Sequence, residues 1–187
     1  EDGGINGAAS HNFSSNFTTG NSNAVDQNAS LTTAFSFSLN PNGVDSGLQD
    51  HNGNHIFLFN ENGNIIGRVG NNNVALTSGS EALKITLNPQ TGEVTFSSSQ
   101  DLQHSNPQQS GTSDQLSFPN TLFSITRTDT ITDADGDITD AHSSIPIGAA
   151  FHINDDGPSI TTHAAVADSL QVDETDLSKN DSENFKS

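Results

Sequence analysis

Aspartates at alternate positions give this sequence its clearest chemical signal. Asp133, Asp135 and Asp137 stand in the stretch ITDADGDITD, and Gly136 lies among them. Because glycine lets the chain curl, three carboxylates spaced in this way can face one point. Calcium accepts about six to eight oxygen ligands and tolerates irregular geometry, so a bent acidic loop suits it. The spacing therefore predicts a calcium site.

The expected form of this site is a loop between strands. A helical calcium-binding loop does not fit, because the glycine falls two places early and no glutamate closes the loop. We expect backbone carbonyls and the remote carboxylates Asp129 and Asp140 to complete the coordination shell. The alternative is a solvated turn, since Asp and Gly are ordinary turn residues. Unpaired carboxylates this close would repel one another, which favours the ion over the plain turn.

Two acidic pairs further along the chain predict metal ligands at a domain junction. Asp155 and Asp156 lie where a strand is expected to leave the domain, and Asp173 and Asp176 follow in the stretch VDETD. Calcium held between these two segments would stiffen the junction. A hydrophilic linker with incidental acids is the alternative.

The segment GVDSGLQDHNGNH is a third oxygen-rich region. It admits three interpretations, which are a calcium site, a loop that contacts a ligand, and an ordinary turn. Ligand contact is the working prediction, and the residues concerned are Asp45, Asp50, Asn52 and Asn54.

Neither zinc binding nor catalysis is indicated. His51 and His55 are four residues apart, but the Asn-Gly-Asn between them breaks any helix and no third ligand is evident. The sequence has no cysteine, no GxSxG elbow and no phosphate-binding glycine loop. Its carboxylates are numerous, yet no pair stands out as the acid and base of a glycosidase. We therefore expect a protein that is not an enzyme.

The charge of the chain restricts its partners. Asp and Glu number 23 against 5 Lys and Arg, which gives a formal net charge of -18 over 187 residues. Such a field disfavours nucleic acid and anionic membrane surfaces as partners and attracts divalent cations. Only 30% of the residues are hydrophobic and no disulfide is possible, so bound metal is the remaining means of reinforcing a modest core.

The elements that must hold these residues are strands, because the apolar residues recur with a period of two. In AFSFSLN, Phe35, Phe37 and Leu39 alternate with polar residues. Polar stretches without this alternation cover residues 1–30, about 97–117, and the chain from about 160. Many short strands and no amphipathic helix predict an all-β fold, an antiparallel β-sandwich with long polar loops and calcium sites. Further strands and hairpins are predicted in HIFLFNENGNIIGRV, LKITLNPQTGEVTF, TLFSITR, SSIPIG and AAFHIND.

A domain boundary is predicted close to Pro158. Residues 1–157 would form the calcium-binding sandwich, and residues 158–187 a linker and the start of a following repeat. The second part of this prediction rests on an echo, since NFSS at 12–15 returns as NFKS at 184–187.

The order of LTTAFSFSLNPNGVDSGLQD, TRTDTITDADGDITDA and FHINDDGPS resembles the repeated domains of the giant repeats-in-toxin (RTX) adhesins of Gram-negative bacteria. This resemblance covers roughly residues 28–176. It implies an extracellular location on the bacterial surface, export by type I secretion, a role in biofilms, and β-sandwich units that bind calcium. The glycine-rich nonapeptide repeats that name this protein class do not occur in the sequence.

Two functions are compatible with that resemblance. The first is a ligand-binding adhesion module, which long polar loops favour because recognition usually lies on loops of a rigid scaffold. The second is a structural extender that calcium stiffens and that contacts only neighbouring domains of the fibre. For the first, the partner is a peptide or glycan on a target cell. The absence of Trp and Tyr disfavours sugar stacking and makes a peptide preferable.

Overall fold

The computed structural model describes residues 7–18, 29–105 and 111–155, with the backbone alone for 111–113 and 155. These residues form antiparallel strands and two short 3-10 helices, at Ser14–Asn16 and Gly148–Ala150. No α-helix occurs within the described ranges, as the sequence predicted. The strands are β1 (Ala8–Asn12), β2 (Ser30–Leu39), β3 (Val44–Gln49), β4 (His55–Glu61), β5 (Asn64–Val69), β6 (Glu81–Leu87), β7 (Glu93–Ser98), β8 (Gly111–Leu116), β9 (Phe123–Thr132), β10 (Ile138–Pro146) and β11 (Ile153–Asp155).

The strands form two main sheets that pack face to face. One sheet has six strands in the order β1-β7-β6-β5-β4-β3, and the other has three in the order β10-β9-β2. Strand β2 lies against β4, β5 and β6 of the larger sheet, and a small sheet of β11 and β8 accompanies them. The predicted antiparallel β-sandwich is thus confirmed.

Alternation of apolar and polar residues explains how the smaller sheet faces the core. Phe35 and Phe37 of β2 are buried while the serines beside them are exposed. On β9, Phe123 and Ile125 are buried in the same way. Because successive side chains of a strand point to opposite faces, these phenylalanines line one inner surface. Its counterpart on the larger sheet includes Ile56, Leu58, Ile65, Leu83 and Ile85.

Phenylalanine rings close one region of the core. The ring centroids of Phe118 and Phe123 are 5.5 Å apart, and Phe151 lies 5.7 Å from Phe118. Phe96 of the larger sheet stands 5.7 Å from Phe151. These edge-on pairs are a favourable arrangement for aromatic rings. The cluster anchors the beginning of β9, which leads to the aspartate-rich stretch.

The predicted hairpins are present. Asn62 and Gly63 join β4 to β5 with positive φ angles of 53° and 81°. Two consecutive positive φ values are typical of a type I′ turn, the connection that Asn-Gly favours. The segment LKITLNPQTGEVTF forms β6 and β7, with Gly92 in the connection at φ 71°.

Three strands were missed by the sequence analysis. β1 is an edge strand whose five residues are all exposed, so it carries no apolar alternation. β3 does alternate, but one of its buried residues is Ser46, which no hydrophobic pattern reveals. β8 falls within the polar stretch 97–117, where we expected a loop.

The predicted boundary near residue 157 stays a prediction, because residues 156–187 lie outside the described part of the chain. Asp155 belongs to β11, the last described strand. Among the described residues, no helix has the length and apolar character needed to cross a membrane.

Candidate metal centre

The aspartate triad lies in the connection between β9 and β10. The pairing of Thr132 with Ile138 is the last of the ladder, and residues 133–137 form the loop. The N–H of Asp133 donates to the carbonyl of Asp137 at 3.0 Å. Gly136 has a φ of 96°, in the left-handed region that glycine tolerates without strain. This is the loop between strands, with a curl at glycine, that the sequence predicted.

The three carboxylates converge as predicted. Asp133, Asp135 and Asp137 each present an oxygen, and these oxygens lie within 4.8 Å of one another. Ligands on opposite sides of a calcium ion with bonds of about 2.3–2.6 Å are about 4.6–5.2 Å apart. The triad therefore fits a calcium ion, with the remaining ligands supplied by water, backbone or another molecule.

The electrostatics of the triad centre on Asp133. A side-chain hydrogen bond with Asp135 lowers the pKa of Asp133, and N–H donors of the loop add to this effect. Gly136 and Asp137 donate to Asp133 Oδ1 at 3.0 and 2.9 Å. A hydrogen bond between two carboxyl groups requires a shared proton, because ionised carboxylates only accept. A cation can take the place of that proton and keep both groups charged.

A second loop has the same architecture. Residues 50–54 join β3 to β4, and the N–H of Asp50 donates to the carbonyl of Asn54 at 3.0 Å. Gly53 has a φ of 79° and occupies the position that Gly136 has in the 133–137 loop. Asn52 and Asn54 donate backbone N–H groups to Asp50 Oδ1 at 2.9 and 2.8 Å. Each loop is thus a five-residue turn organised by the carboxylate of its first residue.

The two loops differ in what surrounds that first carboxylate. The side-chain amide of Asn54 donates to Asp50 Oδ2 at 3.0 Å, so protein donors satisfy both oxygens. Asp50 is only 3% exposed. At the matching position Asp137 has a carboxylate, which cannot donate when ionised. The 50–54 loop thus has a side-chain amide that donates to its first carboxylate, whereas the 133–137 loop has a carboxylate at that position.

Asp50 is held in its ionised form by these bonds. Burial alone would raise its pKa, but the hydrogen bonds from Asn54 and Asn52 outweigh it, and the pKa lies below the ordinary 3.8. Of the three interpretations of this segment, the ordinary turn accounts for Asp50 and Asn54 best. Asn52 presents an exposed side chain beside them. Ligand contact by these residues stays a prediction.

Asp45 takes part in a contact that the sequence analysis missed. Its Oδ2 lies 2.6 Å from Nδ1 of His55, and its Oδ1 accepts the N–H of Gly47 at 2.9 Å. Strand pairing brings His55 beside Gln49, close to the end of β3. Within the described ranges the aspartate triad is the one group of three or more metal-ligating side chains that converge, and neither His51 nor His55 belongs to it.

Asp129 and Asp140, predicted as remote ligands, stand apart from the triad. Asp129 is four residues before Asp133 in an extended strand, a separation of roughly 13 Å. Asp140 pairs with Thr130 and therefore projects from the opposite face of the sheet to Asp129. Geometry does not support either residue as a ligand of an ion at the triad.

The carboxylate of Asp129 has protein partners instead. Thr33 donates to its Oδ1 at 2.6 Å and Arg127 at 3.0 Å. Burial would raise the pKa of Asp129, but these two hydrogen bonds and the Arg127 charge together lower it. The antiparallel register of β2 and β9, which places Thr33 opposite Asp129, creates this contact. Only knowledge of the strand pairing could have revealed it.

The junction residues receive no structural account. The side chain of Asp155 and the whole of Asp156, Asp173 and Asp176 lie outside the described residues. Their assignment as metal ligands stays a prediction.

The described residues form an antiparallel β-sandwich whose β9–β10 hairpin carries an acidic loop. The chain belongs to the family described as a domain of unknown function, DUF5801, whose model matches residues 1–146. Those residues include both five-residue loops. No curated protein and no solved structure gives a significant match.

Proposed function

We propose that this protein is a calcium-dependent, non-catalytic adhesion module of a large bacterial surface protein, which recognises a peptide or glycan on a target cell. The converging carboxylates of Asp133, Asp135 and Asp137 are the observation that carries the calcium part of this proposal. The β-sandwich fold and the net charge of -18 support it. The resemblance to RTX adhesin domains supports the extracellular location and export by type I secretion.

Calcium would act mainly by neutralising the loop. The ion would relieve repulsion among three carboxylates at the turn of the β9–β10 hairpin. Because only the folded hairpin brings them together, binding would stabilise the folded state. Such a site would have the weak affinity of extracellular calcium modules, with a dissociation constant of about 0.1–1 mM.

The closed loop at 50–54 provides a control for this idea. The double substitution Asp135→Asn and Asp137→Asn replaces two carboxylates of the 133–137 loop by the amides that the 50–54 loop has at its matching positions, Asn52 and Asn54. Isothermal titration should show calcium binding to the wild type and its loss in this variant. An unchanged calcium affinity in the double variant would refute the assignment of the triad.

Thermal unfolding measures the consequence for stability. At a calcium concentration about 100 times the dissociation constant, the ion contributes about 2.7 kcal/mol. For a domain of this size that corresponds to a rise in Tm of roughly 5–10 °C. The double variant should melt at the same temperature with calcium and with a chelator. If a chelator does not change the Tm of the wild type, the stabilising role of calcium is contradicted.

A structural extender is the second candidate, and the closed 50–54 loop favours it. Asp50 and Asn54 satisfy each other and present no open coordination position, which weakens the case for ligand contact at this loop. Titration of calcium-loaded protein with panels of short peptides and neutral glycans separates the two functions. An adhesion module gives a saturable signal with one class of ligand, and an extender with none.

A further inference from the structure

The outer edge of β10 is a long and regular edge of the three-stranded sheet. β10 has nine residues, and its register with β9 runs without a bulge from Ile138 to Pro146. Seven consecutive residues, 138–144, are exposed. Among the described strands β10 pairs with β9 alone, so its other side is an edge of the three-stranded sheet they form.

The hydrogen-bonding pattern shows which backbone groups point outward. Asp133 donates to Asp137, and Ile147 donates to Phe123 at 3.2 Å, so both are hydrogen-bonded pairs of the antiparallel ladder. Since such pairs alternate along a ladder, the odd-numbered residues of β10 bond to β9. The even-numbered ones direct their N–H and C=O groups away from the sheet. They are Ile138, Asp140, His142 and Ser144, with the carbonyl of Pro146 after them.

The other edges of the two main sheets are each limited in some way. On β2, the outward N–H of Phe35 donates to the carbonyl of Pro89 at 2.8 Å. On β3, a register shift interrupts the strand, and Gln103 donates to the carbonyl of Gln49 at 2.9 Å. β1 has only five residues. Short length, bulges, and a loop that covers the edge are common features that prevent an edge strand from pairing with another chain.

β10 lacks these protections. Its sequence ITDAHSSIP has no lysine or arginine, and its one proline is the last residue. An open edge of this kind is a template for another strand, either a copy of the chain or a different segment. The net charge of -18 opposes the approach of a second copy. The same charge attracts a basic strand.

The charge near the β10 edge also favours a basic segment as the partner. Asp140, an acidic residue, is exposed on β10 and directs its backbone groups outward. A lysine or arginine on an added strand, opposite Asp140, would form a favourable cross-strand pair. An acidic segment would meet repulsion at the same place.

We infer that the β10 edge binds an extended basic peptide segment, which adds to the three-stranded sheet as a fourth strand. Up to eight backbone hydrogen bonds are available from the four outward-facing residues. The inference deepens the proposed adhesion function by naming the partner class, and it rests on that function for its biological role.

The test uses a capped, fluorescently labelled peptide of the length of β10, in which valine alternates with threonine and lysine. Fluorescence anisotropy measures its affinity for the calcium-loaded protein. Two control peptides replace the lysines by glutamate or carry N-methyl groups along the backbone. The lysine peptide should bind saturably, and both controls should bind at least about tenfold more weakly, because one loses charge attraction and the other loses N–H donors.

Two protein variants localise the binding. His142→Pro removes one outward N–H, and proline is tolerated where an edge N–H faces solvent. His142→Thr removes the imidazole, which contacts Thr128 at 3.0 Å, but retains the N–H. The proline variant should bind about tenfold more weakly, and the threonine variant within about twofold of the wild type. Circular dichroism confirms that both variants are folded.

Several results would overturn the inference. They are equal binding of the N-methylated peptide, unchanged affinity of His142→Pro, no saturable binding at millimolar protein, and a dimer in sedimentation equilibrium. Protection of the amides of Asp140 and Ser144 in the absence of peptide would also overturn it, since the edge would then be covered already. Calcium affinity is measured separately by titration. If calcium binds but the peptide does not, the inference of peptide binding at the β10 edge is refuted and the calcium site stands. If calcium does not bind, the calcium part of the proposed function is refuted.

Discussion

The 50–54 and 133–137 loops share backbone hydrogen bonds and differ at three positions, two of which exchange an amide for a carboxylate. In each, a first aspartate accepts N–H groups of its own loop, and a glycine with positive φ stands three positions later. Where one loop has Asn52 and Asn54, the other has Asp135 and Asp137. The backbone is therefore alike in the two turns, and their side chains differ. On the proposed function, replacing amides, which donate, by carboxylates, which only accept, would favour a bound cation.

The largest expected effect tests the closed loop. Asp50→Ala leaves the N–H groups of Asn52 and Asn54 without their acceptor in a buried setting, and we expect a loss of roughly 3 kcal/mol in the free energy of unfolding. Asp133→Ala, measured with a chelator, removes an acceptor that water can replace, so its loss should be clearly smaller than that of Asp50→Ala. Urea unfolding of both variants measures the difference. If both variants lose the same free energy of unfolding, the first carboxylates of the two loops do not differ as described above.

A smaller effect on stability is expected when the 50–54 loop receives the carboxylates of the 133–137 loop. Asn52→Asp with Asn54→Asp should create calcium binding at the 50–54 loop and destabilise the protein in a chelator by about 1 kcal/mol, through repulsion with Asp50. The background carries Asp135→Asn and Asp137→Asn, so that the 133–137 loop contributes no ion. A Tm that rises with calcium in the fourfold variant, but not in its parent, measures the gain. If calcium changes the Tm of neither variant, the exchange of amides for carboxylates does not determine which loop binds calcium.

The smallest expected effect is in the pH dependence of stability. The pKa of Asp50 and that of Asp133 are lower in the folded protein than the ordinary 3.8. The unfolded chain therefore binds more protons, and stability falls as the pH drops below about 4 and through the folded pKa values. Above about pH 5 these two groups contribute no slope. Urea unfolding between about pH 5 and pH 2 should show a shallower decline in Asp50→Ala than in the wild type, and a parallel decline would contradict the low pKa of Asp50.

Much of the fold could be predicted from the sequence, because burial on one face imposes a visible alternation. Phe35 and Phe37 revealed β2, and Asn62-Gly63 revealed the turn between β4 and β5. β1 could not be found in this way, since an edge strand with exposed residues leaves no pattern. Ser46 hid β3 because its burial depends on neighbours that the local sequence does not show.

The candidate site was also predictable only in part. Asp133, Asp135 and Asp137 are neighbours in sequence, so their convergence could be predicted from spacing and glycine alone. Asp129 was grouped with them because it is close in sequence, but strand geometry carries it away and the register of β2 gives it Thr33 as a partner. Contacts between distant segments depend on pairing, and pairing was not available from one sequence.

The position of the triad at the turn of the hairpin has a thermodynamic consequence. The residues that would hold the ion lie between the end of β9 and the start of β10, so an ion and an added strand would act on one hairpin. If calcium orders the start of β10, it raises the affinity for the strand, and reciprocity requires the strand to raise calcium affinity by the same factor. A weak ion site would then report the level of extracellular calcium through the strength of attachment.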